Sequence, residues 1–189
     1  MKILTANISQ APIIAKLIMT AMTEECCLYY AGPNHDIEDF RKTMTSLVER
    51  TDSQYSYKNT LVATDDDGRV MGVCVSYDGA KLHSLREAFV SAARQDFGMD
   101  FSNMDDETQA GELYLDSLAV FPEYRGRGVA TALLKASIEK GRSMVLPAVG
   151  LLVDKGNPNA ERLYRSVGFE YKNDATWGGH PMKHLAINI

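Results

Sequence analysis

The sequence predicts a single α/β (α+β) domain over residues 1–189, built on a mixed sheet of six to seven strands with helices on both faces. Stretches of helical periodicity alternate with short strand-like stretches, which favours strands joined by helices. In two places one predicted strand is followed directly by another, which predicts two hairpins. No Pro-, Gly- or Ser-rich linker divides the 189 residues, and one domain accommodates that length.

The N-terminal half is predicted to hold three strands and three helices. The turn Asp65-Asp66-Asp67-Gly68 is a strong hairpin signal, and its aspartates lack the spacing of a calcium loop. Ser9 is predicted to cap the first helix. The strands are predicted over residues 2–6, 60–64 and 69–77, and the helices over 9–22, 36–50 and 82–97.

The C-terminal half is predicted to begin with an acidic loop over residues 98–111. The final two strands should enclose a loop that carries the single tryptophan, Trp177. Four strands are predicted over residues 112–120, 148–153, 169–172 and 182–188, and two helices over 126–140 and 158–167.

Composition narrows the class of protein. The formal net charge of −5 argues against nucleic acid as a partner, because surfaces that follow phosphate backbones are basic. Three cysteines without a CxxC pair, and His35, His83 and His184 without ligand spacing, predict no metal site. The best apolar stretch, residues 11–22, is too short to span a membrane. We therefore expect a cytoplasmic protein without a membrane partner.

The segment Val-Phe-Pro-Glu-Tyr-Arg-Gly-Arg-Gly-Val-Ala over residues 120–130 is the most informative in the chain. Its glycines, Gly126 and Gly128, precede a strongly helical stretch, so main-chain N–H groups and the helix dipole can bind an anion. A Walker A loop is absent. A dinucleotide fingerprint would need Gly or Ala where Thr131 stands. The segment therefore predicts a pyrophosphate-binding loop.

Two blocks of sequence resemble the GNAT superfamily of acetyl-CoA-dependent N-acetyltransferases. Arg125-x-x-Gly128-x-Ala130 is similar to the R/Q-x-x-G-x-G/A pyrophosphate loop of that family. Residues 157–169 fit its N-x-x-A-x-x-L-Y-x-x-x-G-F block. The resemblance is close over residues 112–169, whereas the N-terminal part agrees only in its order of elements.

The resemblance implies that acetyl-CoA is the acyl donor and that the reaction is direct attack by a primary amine. The hydroxyl of Tyr164 matches the group that protonates the departing thiolate. Asn157, a helix cap by its sequence, matches a side chain that holds the pantetheine arm. The implied main-chain and loop contacts to coenzyme A fall on Leu118, Ala119, Val120, Arg125, Gly126, Arg127, Gly128, Val129, Ala130 and Thr131.

The strand over residues 112–120 also carries the candidates for the general base. Strict alternation places Glu112, Tyr114 and Asp116 on one face. Asp116 is the first choice and Glu112 the second. Each of these polar side chains could instead only form hydrogen bonds with solvent or with neighbouring groups.

The identity of the acetyl acceptor is what the sequence determines least. The resemblance implies acceptor contacts from Glu25, Tyr29, Tyr114 and Trp177. The acidic residues of the segment 96–107 could form a negative rim that attracts a cationic amine, or a solvated loop. A small molecule or a peptide would fit, and homodimers are common among relatives.

Four alternatives to this interpretation stay open at the level of sequence. The chain could be a GNAT-like module that senses acyl-CoA without catalysis, or it could bind a dinucleotide through Gly126 and Gly128. Within the enzyme class, the acceptor could be a protein N-terminus or a lysine, and the donor a longer acyl-CoA.

Overall fold

The computed structural model describes residues 1–189, and its seven strands form one mixed sheet in the order β1-β2-β3-β4-β5-β7-β6. Only β4 and β5 pair in parallel, and every other neighbouring pair is antiparallel. The predicted mixed sheet is confirmed, with seven strands. The strands are β1 Lys2–Thr5, β2 Thr60–Thr64, β3 Val70–Asp78, β4 Glu112–Val120, β5 Ala148–Asp154, β6 Glu170–Trp177 and β7 His180–Asn188.

Six α-helices cover the two faces of this sheet. They are α1 Ala11–Met22, α2 Glu24–Ala31, α3 Ile37–Glu49, α4 Leu82–Ala92, α5 Val129–Ser143 and α6 Pro158–Val167. Helix α1 packs on β3 and β4 and is covered by α2 and α3, whereas α5 packs on β2 to β5. Along β3, Val73 and Val75 belong to the α1 core and Cys74 to the α5 core. None of the helices combines the length and apolarity needed to cross a membrane.

The first helical region differs from the prediction in two ways. Ser9 does not cap α1: a 3-10 turn over Ile8–Gln10 precedes the helix, and Asn7 caps that turn, because its side chain accepts from the Ser9 main-chain N–H at 3.1 Å. Helix α2 was not predicted, although Thr23 caps it and acidic residues occupy its first turn. It lacks a clear apolar stripe, so periodicity does not reveal it.

The C-terminal hairpin is longer than predicted. Strands β6 and β7 continue towards each other until only Gly178 and Gly179 separate them. Both glycines have positive φ, 57° and 78°, as a tight two-residue hairpin turn requires. The predicted loop around Trp177 is therefore wrong: Trp177 is the last residue of β6.

Strands β4 and β5 diverge soon after they begin to pair. Their pairing ends at Tyr114 and Gly150, although β4 continues to Val120 and β5 to Asp154. Beyond that point the β5-facing edge of β4 has no strand partner. A wedge therefore opens inside the sheet, next to the N-terminus of α5.

A β-bulge lies on β4 at the narrow end of this wedge, where β4 and β5 begin to diverge. Val75 pairs with Ser117 and Ser76 with Leu115, which leaves Asp116 as the extra residue. The Ser117 hydroxyl donates to Asp116 Oδ1 at 2.8 Å. Strict alternation of faces therefore ends at Asp116: beyond it Ala119 joins the α1 core and Val120 the α5 core.

Candidate active site

The loop before α5 presents unpaired main-chain donors. Gly126 and Gly128 have φ of 72° and 78°, so the chain turns through the left-handed region twice. None of the N–H groups of residues 126–131 donates a hydrogen bond within the chain. A Cβ at either glycine would meet no atom within 4 Å, so the loop is open to solvent. These donors and the α5 dipole suit a pyrophosphate.

The two arginines of this loop are exposed and partly engaged. Arg125 Nε donates to the Val120 carbonyl at 3.1 Å, which ties the loop to the end of β4. The Arg127 guanidinium lies over the Tyr124 ring, 5.7 Å from its centroid. The remaining guanidinium nitrogens of both side chains make no hydrogen bond within the chain. The main-chain donors form the fixed part of the site.

The open edge of the wedge contains the positions expected to meet pantetheine. Leu118, Ala119 and Val120 pair with β3 on one side and have no strand partner on the side facing β5. An extended amide-containing chain can add to such an edge by main-chain hydrogen bonds.

Helix α6 begins beside the end of β5 and supplies two predicted site residues. Asn157 Oδ1 accepts from the Ala160 main-chain N–H at 3.1 Å, and Pro158 occupies the first helical position. The Asn157 amide nitrogen makes no hydrogen bond within the chain. One atom of the side chain therefore caps the helix while the other is free for a ligand.

Tyr164 is half-buried on α6. Its ring meets Phe169 edge to face, with centroids 6.1 Å apart. Its hydroxyl makes no hydrogen bond within the chain. Burial and, to a smaller extent, the negative form of Cys74 together raise the pKa of Tyr164 to about 12. The phenol is therefore protonated at neutral pH and able to donate.

Glu107 is the centre of a buried hydrogen-bond cluster on the α1 side of the sheet. Its carboxylate accepts from the Tyr77 hydroxyl at 3.1 Å and from Trp177 Nε1 at 3.2 Å. It also accepts from Gln54 Nε2 at 3.5 Å and forms an ion pair with Arg86. This cluster joins β3, α4, β6 and two loops.

Asp116 belongs to the same cluster. Its Oδ2 accepts from Gln54 Nε2 at 3.3 Å and its Oδ1 from the Ser117 hydroxyl. Burial and, to a smaller extent, the negative charge of Glu107 together raise the pKa of Asp116 to about 7. A carboxylate of this kind exchanges protons near neutral pH.

Glu112 lies on the same strand but in different surroundings. Its carboxylate accepts from Thr108 Oγ1 at 2.6 Å and meets His184 Nε2 at 2.8 Å. The Glu112 side chain passes over Gly150 of β5, where a Cβ added to the glycine would overlap with the Glu112 carboxylate. Glu112 therefore links β4 to β7, and both of its oxygens are already engaged.

The predicted negative rim is largely neutralised. Glu107 and Asp106 both pair with Arg86, which is 6% exposed. Asp100 pairs with Arg94 at 3.0 Å. Asp96 accepts from Thr43 at 2.6 Å. The bonds to Thr43 and Arg86 therefore hold the segment onto α3 and α4, whereas the Asp105 carboxylate is exposed.

The structure brings together some of the predicted acceptor residues. Trp177 reaches Glu107, and the buried Tyr114 packs on Tyr77 with ring centroids 5.7 Å apart. Glu25 and Tyr29 remain exposed on α2, where Tyr29 packs on the ring of Phe101, whose centroid lies 5.8 Å away. They make no contact with the Glu107 cluster.

Sequence reasoning missed four members of this cluster as site residues. Gln54 and Tyr77 belong to no sequence motif, and Arg86 was only one residue of a predicted helix. Glu107 was assigned only to the acidic segment. The pairing of Arg86 with Glu107 depends on tertiary contact between α4 and a loop 21 residues later, and no local pattern encodes it.

Comparisons with known proteins agree with this geometry. The sequence profile of the Acetyltransferase (GNAT) family matches residues 26–169, which is more than half of the chain. The chain belongs to the GNAT acetyltransferase family. Its fold agrees: a solved N-acetyltransferase from Staphylococcus aureus Mu50 superposes with a TM-score of 0.82 at 24% identity, over 99% of this chain and 100% of that one.

Two further relatives support the assignment. A solved acetyltransferase has a TM-score of 0.80 and 25% identity, with 100% of this chain and 99% of that chain covered. The mycothiol acetyltransferase of Thermobifida fusca is 35% identical over 83 residues, which is 43% of this chain. The match spans only 25% of the length of that relative.

Proposed function

We propose that this protein transfers an acetyl group from acetyl-CoA to a primary amine by direct attack in a ternary complex. The observation that carries the proposal is the wedge between β4 and β5. Unpaired main-chain donors lie at its wide end, and the Asp116 bulge lies at its narrow end. Strand β4 thus carries a carboxylate that titrates near neutral pH and leads directly into the anion-binding loop.

The donor half of the proposal rests on the fit of coenzyme A to the loop and the wedge. The N–H groups of residues 126–131 would hold the pyrophosphate, and the open edge of Leu118–Val120 would hold the pantetheine amides. The free amide nitrogen of Asn157 would add a contact from the other side of the wedge. When bound, acetyl-CoA supplies an activated thioester.

The acceptor half requires a base, because a primary amine is mostly protonated at neutral pH and cannot attack in that form. Asp116, with its pKa raised to about 7, would accept this proton directly or through water. We propose Asp116 as the base ahead of Glu112, because Asp116 is partly exposed where β4 and β5 have diverged, whereas Glu112 is buried where the two strands still pair.

The leaving thiolate needs a hydrogen-bond or proton donor. The Tyr164 hydroxyl is free and protonated at neutral pH, and its pKa lies above the value of about 8.5 for a thiol. We propose that it donates to the sulfur of coenzyme A as the thioester bond breaks.

The cysteines support direct attack rather than a covalent acyl-enzyme. Burial raises the pKa of Cys26 and of Cys74 to about 11, and that of Cys27 to about 12. A thiolate nucleophile needs the opposite shift.

The first experiment is a thermal-shift titration with acetyl-CoA, coenzyme A and NAD in parallel, followed by thiol release with amines. A ligand at a hundred times its Kd stabilises by about 2.7 kcal/mol. We expect both coenzyme A forms, and not NAD, to stabilise the protein, and amines to release free thiol. Stabilisation without thiol release would favour an acyl-CoA sensor, and a response to NAD alone would overturn the donor site.

A further inference from the structure

The Gln54 side chain lies between the two carboxylates of the Glu107 cluster and is 3% exposed. Its Nε2 lies 3.3 Å from Asp116 Oδ2 and 3.5 Å from Glu107 Oε1. The opposite amide orientation would place an oxygen against two carboxylates, so the nitrogen is fixed where it is.

This orientation leaves an acceptor without a donor. Gln54 Oε1 is buried and has no hydrogen-bond partner. Leaving a buried acceptor unsatisfied is costly, and native proteins contain few such atoms. The other unpartnered buried atom, Arg86 Nε, belongs to a guanidinium that already donates to Glu107 and to the Asp105 carbonyl. A ligand that donates a hydrogen bond would satisfy Gln54.

The charges of the cluster indicate that this donor is a cation. Arg86 compensates Glu107, whereas the hydrogen-bond partners of Asp116 are neutral. The ionised Asp116 therefore leaves an uncompensated negative charge in a partly buried site. The other titratable groups coupled to it are Cys74 and four tyrosines, whose pKa values burial raises: Tyr30, Tyr55, Tyr77 and Tyr114.

Aromatic rings next to these carboxylates suit the same ligand. Tyr77 and Trp177 both donate to Glu107, and Tyr114 packs on Tyr77. Alkylammonium groups bind favourably among aromatic rings and carboxylates. A carboxylate on the carbon next to the nitrogen would instead approach Asp116 and Glu107, and such like-charge contacts are strongly unfavourable.

We infer that Gln54 Oε1 and the carboxylates of Asp116 and Glu107 receive the ammonium end of the acceptor. The acceptor is then a primary amine that lacks a carboxylate on the adjacent carbon. This inference rests on the proposed function for its link to acetyl transfer, but binding of the amine can be measured without turnover.

The test uses three matched pairs of probes, each an amine and the amino acid that adds only the carboxylate: ethylamine and alanine, 3-methylbutylamine and leucine, tyramine and tyrosine. Each is titrated into the full-length protein saturated with coenzyme A, and its Kd is measured by calorimetry. In at least one pair the amine should bind at least ten times more tightly than its amino acid. Equal or tighter binding of the amino acid throughout, or no binding by any probe, overturns the inference.

The variant Gln54→Leu should weaken the binding of the best amine at least tenfold and leave the Kd for coenzyme A unchanged. Gln109→Leu, an exposed glutamine beyond Glu107, is the matched control and should change neither Kd. If Gln54→Leu does not fold, Gln54→Met, which keeps the side-chain length and removes both amide atoms, replaces it. Amine affinity that the Gln54 variants retain, as Gln109→Leu does, would contradict the inference. Tight amine binding without thiol release would instead reject the proposed acetyl transfer and leave this site standing.

Discussion

The two ends of the wedge are built in different ways. The donor end uses main-chain N–H groups of consecutive residues, exposed in a loop that glycines shape. The acceptor end uses buried side chains from β3, β4, β6, α4 and two loops, joined around Glu107. A ligand shared across a family can be held by backbone, whereas a ligand particular to one protein has to be selected by side chains.

This difference predicts that Tyr164 acts on kcat and that changes in the loop over residues 125–130 act on coenzyme A binding alone. At the acceptor end, changes should act on pH dependence and on the amine. The variants below test that division, beginning with the one expected to have the largest effect.

Gly128→Val should abolish measurable binding of coenzyme A. Valine is strained at a φ of 78°, so the loop must move and its N–H groups no longer converge. Loss of two hydrogen bonds to a charged phosphate weakens binding by about a thousandfold. Calorimetry gives the Kd. Gly68→Val, at a φ of 81° in the β2–β3 turn, is the control for backbone strain and should retain affinity. Retained affinity in Gly128→Val would count against the loop.

Tyr164→Phe should lower kcat by about a hundredfold, the contribution typical of a general acid, with the Kd for coenzyme A unchanged. The ring remains packed on Phe169, so only the hydroxyl is lost. Steady-state thiol release separates kcat from KM. Tyr171→Phe removes a hydroxyl that contacts Asp174 on the exposed edge strand, and its kcat should equal the wild type. An unchanged kcat in Tyr164→Phe would remove this residue from the mechanism.

Asp116→Asn should lower kcat/KM by about a hundredfold and remove the acidic limb of the pH–rate profile. In the wild type, activity should fall as pH falls through about 7, where Asp116 becomes protonated. An unaltered profile would transfer the role to Glu112 or to water.

Stability gives a second measurement on Asp116→Asn. The folded pKa is raised from 3.8 to about 7, so the wild type loses stability as pH rises between these values. Asparagine carries no such cost. The Tm of the variant should therefore gain on that of the wild type from pH 5 to pH 8, and a constant difference would contradict the burial of an ionisable Asp116.

The sequence could predict the donor end because its parts are local. Residues 125–130 form one loop, and Asn157 with Tyr164 lies on one short helix, so spacing alone specifies the geometry. Gln54 and Glu107 meet across 53 residues, and no periodicity encodes that contact. The C-terminal hairpin is a different case, because the adjacent glycines at 178 and 179 were a turn signal that the prediction did not use.

Glu107→Gln should have a smaller effect on kcat, and it should act on pH dependence and on the binding of the amine. Removing the negative charge lowers the pKa of Asp116, so the acidic limb should move to lower pH. At pH 8, where Asp116 is ionised in both proteins, kcat should change only a few-fold. Asp105→Asn, an exposed carboxylate of the same segment, should leave the limb in place. A limb that moves to higher pH, or does not move, would exclude electrostatic coupling between Glu107 and Asp116.

The smallest effect is expected at Asn157, where one side chain serves the fold and the donor end together. Serine can keep the cap to Ala160 but has no amide nitrogen. Asn157→Ser should therefore keep the wild-type Tm and weaken coenzyme A binding about fivefold, the value of one hydrogen bond. Asn157→Ala should weaken binding equally and also lose about 1 kcal/mol of stability. If the serine variant binds coenzyme A as tightly as the wild type does, Asn157 is a helix cap only, and the donor end depends on main-chain groups alone.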